Sequence, residues 1–177
     1  MALLEGDKAL VLDADALNMI ADSQVLQKKL TERTAMTVIT PHPGEAGRLL
    51  NESVSEIQLD RKRSILRMTR KFSCWVVLKG NETLIASPQG DIFLNPFGSP
   101  KLAVAGSGDV LAGMIGTQIA SKANREIDTG ILISATVALH GKAGEQRDWF
   151  LVSELAREVA RLRQNIESGG KAGSDQR

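Results

Sequence analysis

The sequence holds one cysteine, Cys74, no tyrosine, four phenylalanines and two tryptophans. A lone cysteine excludes an internal disulfide framework and any cysteine-rich zinc site, and it fits a reducing compartment. With aromatic residues at 3%, there is no platform of the kind on which single-stranded nucleic-acid binders stack bases. An excess of one charge is missing too: 22 Lys and Arg stand against 21 Asp and Glu, a formal net charge of +1. That balance gives no overall field to recruit nucleic acid or an anionic membrane. Long apolar runs are also lacking. The longest charge-free stretch, 129–141, is too short to span a bilayer, and Glu5, Asp7 and Lys8 interrupt the apolar N-terminal segment where a secretory h-region would lie. A cytoplasmic protein with neither nucleic-acid nor membrane partners is therefore expected. What the chain does have is material for a core, since 42% of its 177 residues are hydrophobic, enough for one domain.

Residues 9–12 read as a short buried strand that delivers Asp13 and Asp15 at its C-terminal end, and 16–30 read as a helix. Residues 37–40 form a second β-branched run, stopped by Pro41-His42-Pro43-Gly44, after which 45–50 start a helix. Val54, Ile57, Ile65, Met68 and Phe72 keep helical spacing with Arg61 the one break, so the pattern predicts a single long surface helix. Residues 75–79, 83–87 and 91–94 are the third to fifth strands, the last two joined as a hairpin through Pro88-Gln89-Gly90. Residues 109–121 are apolar nearly all round, which predicts a buried helix; 127–143 read as another apolar helix and 149–166 as an amphipathic one. Residues 167–177 lack large apolar side chains and are expected to form a loose tail, leaving 1–166 as one domain. Strands alternating with helices imply an α/β protein, a three-layer αβα sandwich with a mostly parallel sheet whose ligands sit beyond the C-terminal ends of the strands.

Residues 102–113 read Leu-Ala-Val-Ala-Gly-Ser-Gly-Asp-Val-Leu-Ala-Gly. The small residues leave successive backbone N–H groups unshielded at the start of a buried helix, where amide hydrogen bonds and the helix dipole hold an anionic phosphate. Asp109 then stands at the helix start, its ionised form favoured by the dipole and opposed by a bound phosphate. The same spacing fits an Asp N-cap after a glycine turn, so the residues alone leave both readings open. His42, between two prolines, sits in an extended exposed turn and on spacing alone is loop decoration. Lys79 ends an apolar strand, from which its ammonium would simply reach solvent. Asp13 and Asp15 share a strand face, as a metal pair would, but a helix cap and a cleft residue account for them as well, and no side-chain metal site is assigned. His140, late in its helix, is either a favourable C-terminal cation or a packed neutral ring, and Cys74 is a buried small side chain without a partner base.

A resemblance adds to this reading. Residues 105–113, Ala-Gly-Ser-Gly-Asp-Val-Leu-Ala-Gly, resemble the anion-hole motif of the ribokinase-like superfamily. Residues 11–18 (Val-Leu-Asp-Ala-Asp-Ala-Leu-Asn), 40–45 (Thr-Pro-His-Pro-Gly-Glu) and 77–83 (Val-Leu-Lys-Gly-Asn-Glu-Thr) are similar, in order and context, to segments of the ADP- or ATP-dependent NAD(P)H-hydrate dehydratases, and Leu139-His140-Gly141 fits as well. The resemblance implies a ribokinase-like fold and a lyase of metabolite repair acting on hydrated NADH or NADPH (NADHX, NADPHX). In that family the terminal phosphate of a nucleotide activates the C6 hydroxyl, and loss of the phosphorylated oxygen restores the dihydronicotinamide. By position it implies Asp109 as the catalytic base and, with His42, a substrate contact; Gly106, Ser107 and Gly108 as the anion hole; and Lys79, Gly80, Asn81, Glu82 and Thr83, with Gly108, as the nucleotide site. ADP or ATP is the implied co-substrate, and Mg²⁺ the neutraliser of phosphate charge.

Departures from the family pattern are specific. Val104 stands where Thr is common, and 95–101, Asn-Pro-Phe-Gly-Ser-Pro-Lys, resemble an Asn-Pro-Thr-Gly-Asn-Pro-Gly loop without its Thr, second Asn and last Gly. Family members carry several βα units before the Asp-Ala-Asp strand, so the resemblance implies a domain shortened at its N-terminus that keeps the nucleotide half. An uncovered strand at 9–12 would then favour a homo-oligomer or pairing with a separate N-terminal portion. Two other readings remain: a small-molecule kinase of the same superfamily, since a Gly-Ser-Gly-Asp helix start serves hydroxyl phosphorylation equally, and a noncatalytic nucleotide-binding subunit. The Pro-His-Pro-Gly-Glu and Lys-Gly-Asn-Glu-Thr segments argue against the kinase.

Overall fold

Alternation along the strands decides the architecture. The structure, a computed structural model, describes residues 2–122, 127–146 and 151–172. Its strands are β1 (Leu10–Leu12), β2 (Thr37–Ile39), β3 (Trp75–Leu78), β4 (Thr83–Ala86) and β5 (Ile92–Asn95), in the sheet order β1-β2-β3-β4-β5. Leu12, Ile39, Val76, Leu78, Leu84 and Ala86 belong to one core, and Val11, Val38, Val77, Ile85 and Phe93 to a second. Because successive side chains point to opposite faces, both faces of this sheet are apolar and both need cover. The first face is covered by α1 (Ala2–Glu5), α2 (Asp15–Ala21), α3 (Gln24–Thr31), α4 (Pro43–Leu50), α5 (Val54–Leu59) and α6 (Arg61–Phe72). The second is covered by α7 (Ser107–Lys122) and α8 (Thr129–Glu145), on which α9 (Val152–Ala172) packs through Leu155, Val159 and Leu162. The result is the expected αβα sandwich.

Strands β1, β2 and β3 pair in parallel, whereas β3–β4 and β4–β5 are antiparallel, so β4 alone is reversed. Pairing continues past the strand ends: Thr40 N donates to Leu12 O at 3.1 Å and Lys79 N to Pro41 O at 2.8 Å. Those two bonds draw the segments after β1, β2 and β3 side by side, with Asp13, His42 and Lys79 on them.

Several elements differ from the periodicity reading. The helix expected over 16–30 is two, because Ser23 caps α3 by accepting from Leu26 N at 3.3 Å. The long helix expected from Val54 to Phe72 breaks at Asp60, whose φ of −142° and ψ of 82° are not helical and whose carboxylate accepts from Arg63 N at 2.9 Å. Asp15 caps nothing: the α2 N-cap position is Ala14, at φ 50°, with no side-chain cap bond. Helix α7 is not buried all round, since Leu111, Ile115 and Ile119 face the core while Asp109, Gly113, Thr117 and Ala120 are exposed. Helix α9 runs to Ala172, beyond the expected boundary at Ile166, so 167–172 are helical rather than tail. Trp149 and 173–177 lie outside the described residues. Among the described residues no helix is long and apolar enough to cross a membrane.

Candidate functional site

A cavity of about 590 Å³ opens between the β3–β4 turn, the segment after β5, the start of α7 and the middle of α8. Its polar lining includes Lys79, Asn81, Thr83, Ser107 and His140, and its apolar lining Phe97, Val104, Leu111 and Val137. A concave, half-apolar space with a few convergent polar groups is what a small ligand requires.

Lys79 lies at the centre of the charge on this side. Its ammonium donates to Asp13 Oδ1 at 2.7 Å and stands 3.9 Å from Glu45 Oε2. It is therefore held between two carboxylates and does not simply reach solvent, the simpler sequence reading. The start of α7 meets the same pair: a Cβ built on Gly108 would lie 3.2 Å from Lys79 Nζ and 3.4 Å from Asp13 Oδ2. Glycine leaves this approach open, whereas a Cβ here would require the two side-chain ends to give by a few tenths of an ångström.

The turn before α7 depends on Gly106, whose φ of 88° belongs to the left-handed region that glycine favours. Ser107 is buried; its hydroxyl donates to Leu102 O at 2.5 Å. Of the amides at this helix start, that of Ser107 already donates to Val104 O at 3.3 Å, which leaves those of Gly108 and Asp109, without intrahelical acceptors, for an anion. Ser107 and Gly108 line the cavity; Gly106 and Asp109 do not, and Asp109 is exposed on the first turn.

His42 is the N-cap of α4. Its Nδ1 accepts from Gly44 N at 3.0 Å and Glu45 N at 3.4 Å, while Glu45 Oε2 accepts from His42 N at 2.8 Å. With Nδ1 accepting, the ring proton sits on Nε2, which lies 3.4 Å from Glu45 Oε1. The imidazole is 56% exposed and borders the cavity, so it has both a structural bond and a free face.

The 79–83 turn joins β3 to β4. Gly80 has φ 139° and Glu82 φ 54°, and Thr83 Oγ1 donates to Gly80 O at 3.1 Å. Across its base lies Arg61, donating through NH2 to Leu78 O at 3.0 Å and Lys79 O at 3.4 Å. Burial pulls the Arg61 guanidinium below its ordinary pKa, and the Glu82 charge opposes this.

His140 Nε2 lies 3.0 Å from Ser107 O, and a carbonyl only accepts, so Nε2 carries the proton. Burial holds this imidazole below its ordinary pKa against that backbone bond, with the Lys79 charge adding to the lowering; of the two sequence readings the packed neutral ring is the one realised. Around it α8 is thinned by glycines: a Cβ on Gly141 would lie 2.6 Å from Phe97 O and one on Gly144 2.5 Å from Leu102 Cγ, which lets the cavity wall 95–102 seat directly on the helix. Cys74 is buried in the first core and its thiol is pushed up to about 12 by desolvation, so it is inert.

Three contributors were not singled out from sequence. In sequence Asp13 stands between cap, cleft and metal roles; Glu45 stands in the 40–45 motif and at a helix start, with His-x-x-Glu a capping-box spacing; Arg61 is only a break in a stripe. Among the described residues no three His, Cys, Asp or Glu side chains converge to hold a metal.

Comparison with known proteins shows the family. The profile of the family described as NAD(P)H-hydrate dehydratase matches residues 1–161. The ADP-dependent (S)-NAD(P)H-hydrate dehydratase of Neisseria meningitidis is 45% identical over 114 residues, 64% of this chain and 38% of that protein. A bifunctional NAD(P)H-hydrate repair enzyme of Moorella thermoacetica is 42% identical over 137 residues, 77% of this chain and 24% of that protein. The ADP/ATP-dependent NAD(P)H-hydrate dehydratase of Bacillus subtilis, co-crystallized with ATP and Mg²⁺, superposes with a TM-score of 0.77 at 32% identity, over 92% of this chain and 57% of that one. The chain thus spans little more than half of the solved relative and well under half of the other two. In its fold and in the order of its motifs, this chain belongs to the ribokinase-like NAD(P)H-hydrate dehydratase family.

Proposed function

We propose that this chain carries the nucleotide half, and the catalytic base, of a dehydratase that repairs hydrated NADH and NADPH with ADP or ATP as co-substrate. The observation that carries the reading is the meeting of the Lys79 ammonium with the N-terminus of α7 at Gly108, on the border of the 590 Å³ cavity. A lysine ammonium beside the start of a helix is the kind of seat a phosphate takes. Asn81, Glu82 and Thr83 would border the rest of the nucleotide. Asp109, on the exposed side of the same turn, would take the proton of the C6 hydroxyl as its oxygen bonds to the terminal phosphorus and the nucleotide's own P–O bond breaks. Departure of the phosphorylated oxygen with a ring proton then restores the dihydronicotinamide double bond, releasing inorganic phosphate. His42, with its exposed ring face, would contact the hydrated ring.

The donors present fit Mg²⁺ held largely by nucleotide phosphates, because this ion commonly takes one or two carboxylates and keeps the rest of its shell from phosphate and water. Asp13, beside Lys79, is the carboxylate placed to contribute, Glu45 being held in its capping box with His42, and the ion when bound would neutralise phosphate charge. A second polypeptide, another copy or a separate N-terminal portion, would join at the outer edge of β1, which among the described residues pairs with β2 alone. A single, buried cysteine accords with a cytoplasmic setting.

Calorimetry with ADP and ATP, each with Mg²⁺, together with recovery of absorbance at 340 nm from hydrated NADH, tests the proposal. Nucleotide binding should survive better than hydrate binding. Failure of both nucleotides to bind at millimolar concentration while the hydrate binds would reverse the two half-sites. Accumulation of a phosphorylated product without recovery of absorbance would point to a kinase.

A further inference from the structure

We propose that Arg61 is the positioning residue of the candidate nucleotide site, its guanidinium locking the 79–83 turn in the shape that receives the phosphates. The inference rests on the reading that this turn holds a nucleotide, and its structural half stands apart from it. Arg61 opens α6 immediately after the break at Asp60, which turns its side chain from the helix stripe toward the end of β3. One guanidinium spans three acceptors: NH2 reaches Leu78 O and Lys79 O, and NH1 reaches Gln58 Oε1 at 2.8 Å. The fit to the turn is tight, since a Cβ on Gly80 would lie 2.9 Å from NH1 and 3.3 Å from NH2. Gly80 is thus needed twice, for its positive φ and for the flat approach of the arginine.

Lys79 gains most from this contact. Its N–H is fixed by Pro41 O, its ammonium by Asp13 and its carbonyl by Arg61. Without the third hold, the peptide plane after Lys79 can turn, and the Gly80 and Asn81 amides turn with it. A lysine at position 61 keeps the charge but presents one nitrogen, which cannot span the three acceptors of a planar fork.

Hydrogen exchange of the 79–84 amides, followed by mass spectrometry in the whole chain, separates these effects in Arg61→Lys and Arg61→Met. Exchange of the hydrogen-bonded amides that flank the turn, Lys79 with its bond to Pro41 O first among them, should rise roughly tenfold in both, as for loss of one or two charge-assisted hydrogen bonds, with the start of α7 unchanged. Affinity for ADP or ATP with Mg²⁺ should fall by about the same factor. Guanidinium ion, well below denaturing concentrations, should restore protection in Arg61→Met where equal NaCl does not, a response that a global loss of stability would not give. Unchanged exchange in both variants overturns the inference, as does a loosened turn with undiminished affinity. A wild-type chain that binds neither nucleotide overturns the functional reading instead; exchange and rescue then still decide whether Arg61 holds the turn.

Discussion

At Gly108 one added methyl group would press on both members of the Lys79–Asp13 pair. Gly108→Ala is expected to displace them and weaken nucleotide affinity by roughly tenfold while leaving the urea midpoint nearly unchanged, because alanine is no worse in a helix than glycine. Calorimetry beside urea unfolding reads both quantities. On the proposed function, Asp109→Asn keeps shape and loses the ability to take a proton, so any recovery of absorbance at 340 nm should fall by about 10² to 10⁴-fold with nucleotide affinity intact; an undiminished rate would remove Asp109 from the chemistry. His140 gives a dependence on pH. Its folded-state pKa lies below that of the unfolded chain, so the unfolded chain binds the proton first as pH falls through about 6.5, and stability present above that point is lost below it, until the folded form also titrates. His140→Gln keeps an N–H for Ser107 O but has no titration, and the difference in unfolding free energy between about pH 7.5 and about pH 5.5 should shrink. At this scale Lys79 and Gly108 were legible through their motifs. The pairing of Lys79 with Asp13, 66 residues apart, was not, because it depends on which strands are neighbours.

Strands and their order of appearance could be read from short β-branched runs, and so could the β4–β5 hairpin. Helix breaks were harder, since the apolar period continues through Asp60 and through Ser23 as though nothing intervened. The capping side chains were the visible sign, but Ser and Asp are common enough on exposed faces that spacing alone does not single them out. Asp60 also carries a prediction: Asp60→Ala should lower the unfolding free energy by about 1 kcal/mol, measured from urea curves, and should loosen the aim of Arg61. Equal stability would mean that the break is set by the turn itself. Helix α7 misled in the other direction. A helix apolar nearly all round was expected inside, yet Gly113 has nothing within 4 Å of a built Cβ and Gly116 touches only Val11.

For the molecule as a whole, that exposed side of α7 adjoins β1, which pairs with β2 on one side and with nothing among the described residues on the other. Composition records how much apolar surface exists, not which strand ends up outermost, so this edge was legible only through the family resemblance. An open strand edge beside a helix face of small residues is a template for association. Sedimentation velocity at micromolar concentration is expected to show concentration-dependent self-association, and a compact monomer that melts cooperatively would overturn it. Cys74 offers a way to watch such events. Being the chain's one thiol, and sealed between α6 and β3 in the first core, it can meet an alkylating reagent only when that core opens. In the regime where reclosing outpaces alkylation, the labelling rate of the native chain is a clock for opening, and it needs no engineered probe.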